Sequence, residues 1–225
     1  VTSSFLAPTM IVLLLKSPDR GRYDLSSLKN VVYGGAPMYL EHLKEAMAAF
    51  GPVFVQIYGQ AEAPVTITSL PKAEHVTCGD PVKLRRLGSA GRETPPVRIR
   101  ILDANDNDVK QGETGEICVR SDLVMKGYWN QPKETQAALV DGVWLRTGDA
   151  AYLNEEGYIF LFDRFKDMII SGGENIYPSE VETVLGAHAA VRDVAVIGLP
   201  HAKWGECVHG VVVLHEEIGR ASCRE

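Results

Sequence analysis

The sequence lacks paired cysteines. Cys78, Cys118, Cys207 and Cys223 are scattered, with no CxxC spacing. That argues against a zinc ribbon and a disulfide framework, and it fits a reducing, cytoplasmic setting. The sequence also lacks surplus basic charge. Its 23 Lys and Arg against 29 Asp and Glu leave a net charge of −6. A chain of this charge is a poor nucleic-acid binder, so no such partner is expected. No long apolar run is present. The opening residues 1–15 are interrupted by Thr2, Ser3, Ser4, Pro8 and Thr9. They are too short and broken to span a bilayer, and they carry no basic leader. There is no initiator Met either: residue 1 is Val, and the chain is expected to have been cut from something longer. No repeat or low-complexity stretch is visible. What is there is ordinary for a globular chain, 45% hydrophobic and 23% charged residues. The 225 residues suit one large domain, or one domain and a piece of another.

Periodicity divides the chain into three parts. In the first, residues 2–6 read as a buried strand. A helix then opens at Pro8, with Met10, Ile11, Leu14 and Leu15 at helical spacing. Residues 30–33 form a second strand and 39–50 a helix, with Leu40, Leu43, Met47 and Phe50 on one face. Residues 53–58 form a third strand, followed by a loop at 59–64. Strand, helix, strand in this order is a βαβ unit with parallel strands. The loops after both strands then lie at the carboxyl edge, where open α/β sheets bind ligands. From about residue 80 short strands and turns dominate: 97–102, 116–120, 143–146 and 158–162, with a short helix at 132–139. This middle part reads as a small β-rich subdomain. After Asp163 come a strand at 168–170, a helix at 178–185 and strands at 194–197 and 208–214, the start of an α+β domain. Val181, Val184 and Leu185 are expected to form the buried face of that helix. Cys207, His209 and His215 share a face without any metal signature and read as strand packing.

Four segments carry the chemistry: GGAP at 34–37, YGQAE at 58–62, RTGD at 146–149 and DRFKDMIISGGENIYPSEVE at 163–182. Each alone is an ordinary turn or loop signal. Together, in this order and with LPHAKWGE following at 199–206, they resemble the adenylate-forming superfamily, and within it the AMP-forming acyl- and aryl-CoA synthetases. The resemblance covers nearly the whole chain. It implies a fold of α/β class. Residues 1–163 would be the C-terminal portion of the large AMP-binding domain, comprising the parallel βαβ portion and the β-rich subdomain. Residues 164–217 would be a truncated α+β lid, and residues 218–225 an atypical tail, either a frayed terminus or foreign sequence.

The resemblance also implies a reaction in two steps. A carboxylate attacks the α-phosphate of ATP, giving acyl-AMP and pyrophosphate. The thiol of coenzyme A then attacks the acyl carbon and expels AMP. Phosphate charge calls for Mg²⁺, and the ribose diol calls for a carboxylate acceptor. Carried over residue by residue, Gly34, Gly35 and Ala36 match the loop lining adenine. Tyr58 matches the aromatic near the base, with Gly59 and Gln60 beside it. Glu62 matches the Mg²⁺-linked catalytic carboxylate and Asp149 the ribose aspartate. Arg164 matches the arginine that reaches ribose and phosphate. Lys166 falls in the hinge about which the lid rotates. Ser171, Gly172 and Gly173 match the loop of the pantetheine tunnel, and Trp204 a position near the CoA nucleotide. Phe5, Met10 and Val32 are expected in the core or lining an acyl pocket. Met10 falls where some relatives carry a polar or aromatic gate, and a soft Met there favours an apolar acid without choosing between fatty and aromatic.

One position departs from the pattern. Relatives carry Thr or Ser before the glutamate, its hydroxyl bonding the α-phosphate, and here Ala61 stands there. Loss of that bond weakens α-phosphate binding by roughly 1.5–3 kcal/mol unless Gln60 supplies a donor. The family's phosphate loop is expected before Val1, and its catalytic lysine beyond Leu214. Without them the chain alone is expected to be inactive or nearly so. Two other readings stay open. One is an adenylation domain that loads a carrier-protein thiol. The other is a nucleotide-binding module without catalysis. The motifs carry no signal for oligomeric state.

Overall fold

The computed structural model describes residues 1–215, so the tail at 218–225 lies outside the described residues. The chain divides into two compact units, Val1–Leu161 and a second beginning at Phe162. The fold is mixed α/β, as the motif pattern implies. No helix among the described residues is long and apolar enough to cross a membrane.

The first unit opens with β1 (Ser3–Leu6), α1 (Pro8–Lys16), β2 (Asn30–Tyr33), α2 (Leu40–Phe50), β3 (Phe54–Gln60), β4 (Ala63–Leu70), α3 (Pro81–Arg86) and β5 (Arg92–Glu93). The five strands form one sheet in chain order. β1, β2 and β3 are parallel, as the βαβ pattern requires. β4 turns back antiparallel to β3. Ile11 and Leu15 of α1, Leu43 and Ala46 of α2, and Val31, Tyr33 and Phe54 of the sheet close one core. Pro8 sits in the first turn of α1, where its missing N–H costs no helix bond.

Two expectations fail here. β1 is not the buried strand expected at residues 2–6: Phe5 is 60% exposed, and Met10 of α1 is 49% exposed, so of the two places expected for them, core or acyl-pocket lining, the core is excluded. Residues four apart meet the sheet from α1, so Ile11 and Leu15 point inward while Met10 and Leu14 point out. The stretch 59–64 is not an open loop. Gly59 and Gln60 continue β3, Gln60 pairs with Ala63, and only Ala61 and Glu62 turn.

The rest of the first unit is β6 (Arg98–Leu102), β7 (Gly115–Arg120), α4 (Pro132–Ala138), β8 (Leu139–Val140), β9 (Trp144–Leu153) and β10 (Ile159–Arg164), whose last residues begin the second unit. The second sheet runs β10-β9-β7-β6, with β8 on β9. Ile117, Val119, Leu145, Ala151 and Ile159 form its core together with Ala63 and Ile67 of β4. β4 thereby ties the two sheets together. β9 is far longer than the expected 143–146, and it carries the RTGD segment inside a strand rather than a loop.

The second unit contains β11 (Ile169–Ser171), β12 (Glu174–Ile176), α5 (Pro178–Gly186), β13 (Val191–His201) and β14 (Gly205–Leu214). Its sheet runs β12-β11-β14-β13, antiparallel throughout. Ile169 and Val196 are buried. The Glu182 carboxylate of α5 accepts from the Val196 N–H of β13 at 2.8 Å, fixing helix to sheet. Val184 is 74% exposed, against expectation. It falls off the inward stripe set by Val181 and Leu185, four apart.

Candidate functional site

β2 ends at Tyr33, and the GGAP segment follows directly. A Cβ on Gly34 would lie 2.2 Å from the Ile57 carbonyl oxygen of β3. No side chain fits there, so the glycine lets the loop cross close over the neighbouring strand. Gly35 and Ala36 then stand at the carboxyl edge. Behind them lies a buried polar pair. The Tyr33 hydroxyl is 3.0 Å from His75 Nε2, and His75 Nδ1 is 3.1 Å from the Pro71 carbonyl. That carbonyl can only accept, so Nδ1 carries the proton and Nε2 accepts from Tyr33. Burial raises the Tyr33 pKa and lowers that of His75, so both stay neutral at ordinary pH.

The YGQAE and RTGD segments meet. The Tyr58 hydroxyl donates to Asp149 Oδ2 at 2.6 Å across 91 residues of sequence. A bulge in β9 delivers Asp149 to this position. Glu116 of β7 pairs with Ala150 and Cys118 with Arg146, so the single residue Ile117 faces residues 147–149. Gly148 takes φ +73°, which a side chain disfavours. The bulge is locked on every side. Thr147 Oγ1 donates to the Ile117 carbonyl at 2.9 Å, and Asp149 N–H donates back to Thr147 Oγ1 at 3.2 Å. Glu116 Oε1 accepts the Gly148 N–H at 3.0 Å, and Arg146 pairs with both Glu116 and Asp106. Arg146 and Thr147 of the motif are therefore scaffolding, and Asp149 is what they aim. Cys118, beneath the bulge, is buried, and desolvation pushes its thiol up to about 12. It is no nucleophile at neutral pH.

Glu62 stands in the two-residue turn between β3 and β4. Its carboxylate Oε1 accepts from the Tyr128 hydroxyl at 2.9 Å, and its main-chain carbonyl accepts from the Met125 N–H at 2.7 Å. Tyr128 was not among the expected site residues. Its only sequence signal is an aromatic pair after Lys126-Gly127, too common to stand out. Ala61 beside Glu62 is exposed and brings no hydroxyl. Among the described residues no three His, Cys, Asp or Glu side chains gather as a metal cage. A single hard carboxylate suits magnesium, which commonly takes one or two protein carboxylates and completes its shell with phosphate and water.

Arg164, Lys166, Ser171, Gly172, Gly173 and Trp204 belong to the second unit and form their own arrangement. Asp163 Oδ2 accepts from Ser179 N–H at 3.3 Å, near the start of α5, and Ser179 Oγ donates to the Phe162 carbonyl at 2.5 Å. These bonds fix the chain just before Arg164. Lys166 follows in a single 3₁₀ turn, 165–167. Gly172 and Gly173 make the turn between β11 and β12, at φ +62° and +91°. The Gly172 N–H donates to the Trp204 carbonyl at 2.8 Å, and a Cβ on Gly172 would lie 2.9 Å from the indole ring. Trp204 is 47% exposed, with the Lys203 ammonium 4.4 Å from its ring centre. The four residues expected near CoA thus cluster within this unit.

A family model for AMP-binding enzymes matches residues 1–129, and one for the AMP-binding enzyme C-terminal domain matches residues 180–225. A medium/long-chain-fatty-acid–CoA ligase, FadD8 of Mycobacterium tuberculosis, is 46% identical over 220 residues, covering 98% of this chain and 37% of that protein. A fatty acid–[acyl-carrier-protein] ligase, ScoC of Streptomyces coeruleorubidus, is 39% identical over 213 residues, covering 95% of this chain and 40% of that protein. Among solved structures, the amide bond synthetase McbA of Marinactinospora thermotolerans matches with a TM-score of 0.89 at 38% identity, covering 98% of this chain and 43% of McbA. The chain therefore spans well under half the length of these relatives, and it belongs to the AMP-binding enzymes, the adenylate-forming superfamily that its motifs resemble.

Proposed function

We propose that this chain is part of a carboxylate–CoA ligase that forms an acyl-adenylate from ATP and an apolar carboxylic acid and then transfers the acyl group to coenzyme A. The observation that carries this reading is the Tyr58–Asp149 hydrogen bond, which joins two motifs far apart in sequence and on different sheets. In this reading Gly34, Gly35 and Ala36 line adenine, with Tyr58, Gly59 and Gln60 beside the base. Asp149 accepts the ribose hydroxyls, and Tyr58 holds its carboxylate in place. Glu62 is the carboxylate that would hold Mg²⁺, which when bound offsets phosphate charge as the carboxylate approaches. Arg164 reaches ribose and phosphate, and Lys166 lies in the hinge. Ser171, Gly172, Gly173 and Trp204 line the thiol path. Residues 1–163 then belong to the large domain and 164–217 to the lid. The fatty-acid specificity named for FadD8 supports an apolar acid.

The test is AMP release by the full-length protein with ATP, Mg²⁺, CoA and a panel of fatty and aromatic acids. AMP formation that requires CoA and an acid supports the reading. Release with a carrier protein but not CoA would select the ScoC-like alternative, and no release with any acid would sink both. The 225-residue chain, run in parallel, is expected to form little or no acyl-CoA. Within the same assay Ala61→Thr should lower KM for ATP by about 10-fold, the effect of regaining a hydrogen bond to a charged phosphate. An unchanged KM and rate would show that the hydroxyl is dispensable here.

A further inference from the structure

The turn that carries Glu62 has only two residues, and nothing within it restrains the glutamate side chain. The restraint comes from one loop, residues 125–128. That loop grips the turn twice: Met125 N–H donates to the Glu62 carbonyl at 2.7 Å, and the Tyr128 hydroxyl donates to Glu62 Oε1 at 2.9 Å. The loop is itself tied to α4. Tyr128 N–H donates to Thr135 Oγ1 at 2.9 Å, and Thr135 Oγ1 donates to the Gln131 carbonyl at 2.8 Å. The order of support therefore runs from α4, through Thr135, to Tyr128, to Glu62. Oε2 of Glu62 accepts no hydrogen bond from any described residue.

We propose that Tyr128 is the positioning residue for the metal carboxylate, holding Glu62 by Oε1 and leaving Oε2 as the oxygen that would take Mg²⁺. This rests on the reading of Glu62 as the magnesium-linked residue. A carboxylate ligand on a flexible stem must give up rotamer freedom when it binds a cation. The hydroxyl of Tyr128 fixes that rotamer beforehand, so that Glu62 would meet the cation with its side chain already placed. Partners of this kind commonly set metal affinity by about 10–100-fold. Tyr128 does not touch the reacting atoms, so its removal should act on cation affinity and spare the carboxylic acid.

The experiment is a Mn²⁺ titration of the full-length protein followed by electron paramagnetic resonance, with a non-hydrolysable ATP analogue present. Wild type, Tyr128→Phe and Glu62→Gln are compared, and Mg²⁺ dependence of AMP release is measured alongside. Phe keeps the ring and its packing and removes only the hydroxyl. Expected is a roughly 10-fold weaker Mn²⁺ affinity for Tyr128→Phe and a larger loss for Glu62→Gln. The Mg²⁺ half-saturation should rise, with KM for the acid unchanged. Weakened Mn²⁺ binding in Glu62→Gln alone would overturn the role of Tyr128 and leave the Glu62 reading standing. Unchanged binding in both variants would overturn the Glu62 reading and this inference with it.

Discussion

In the first unit the motif residues are held by side chains that meet across the sequence. Tyr58 meets Asp149, Tyr128 meets Glu62, and Arg146 meets Glu116 and Asp106. In the second unit Gly172 and Gly173 are held mainly by backbone conformation and one main-chain bond to Trp204. The cores differ in the same way. The first unit encloses Tyr33, Phe54, Leu43, Ile117 and Leu145 completely. In the second, Ile197, Val211, Val212 and Val213 stay substantially exposed on β13 and β14. A closed core can fix a polar side chain to within a hydrogen bond. A thin sheet with one helix fixes mainly its turns. The difference teaches that one substitution should act through packing in the first unit and through local conformation in the second.

The sharpest way to break that contrast is glycine replacement. Gly34→Ala sets a Cβ 2.2 Å from the Ile57 carbonyl, and the strand cannot yield without moving the core. It should destabilise the first unit by about 3 kcal/mol in urea unfolding. Less than 1 kcal/mol would mean that β3 moves aside freely. Next is Tyr58→Phe, which strips a hydrogen bond from a carboxylate. A loss of about 1.5 kcal/mol is expected, together with a higher KM for ATP in the full-length protein. A stability loss with KM unmoved would assign Tyr58 to scaffolding alone.

At the other end, Gly173→Ala meets open space but needs φ +91°. Only conformational strain remains, about 1 kcal/mol, and it should be confined to the second unit. A cost equal to that of Gly34→Ala would erase the contrast.

Acid gives a further effect, of defined sign. Burial lowers the His75 pKa below its ordinary 6.5. Below about pH 6.5 the unfolded chain takes up a proton that the folded ring refuses, so stability falls with pH until the depressed folded pKa is reached. Above that range His75 adds no slope. His75→Gln should flatten this part of the pH profile of unfolding. An unchanged profile would show that the ring titrates as freely as in the unfolded chain.

Much of this fold was legible. Pro8 opening α1, the apolar spacing of α2, and β2 with its glycines stand in the sequence as patterns that local physics turns into elements. β4 was not read as a strand although Ala63, Val65 and Ile67 alternate with Pro64, Thr66 and Thr68, because Pro64 stands at its start and it follows a segment that reads as a loop. Val184 was misplaced because the apolar stripe of α5 is narrower than its apolar residues suggest. The site divides in the same way. Glu62 and Asp149 were marked by their motifs, while Tyr128 stood only in a common aromatic pair.

The sequence by itself determined the family, the opening βαβ order and the identity of the motif residues. These depend on residue type and short-range spacing, which the chain carries directly. Only the tertiary structure decided that Tyr58 touches Asp149, that a bulge aims Asp149, and that Tyr128 holds Glu62. Those pairings depend on strand register and on where a bulge falls. They arise from packing between segments tens of residues apart, and no local pattern encodes them.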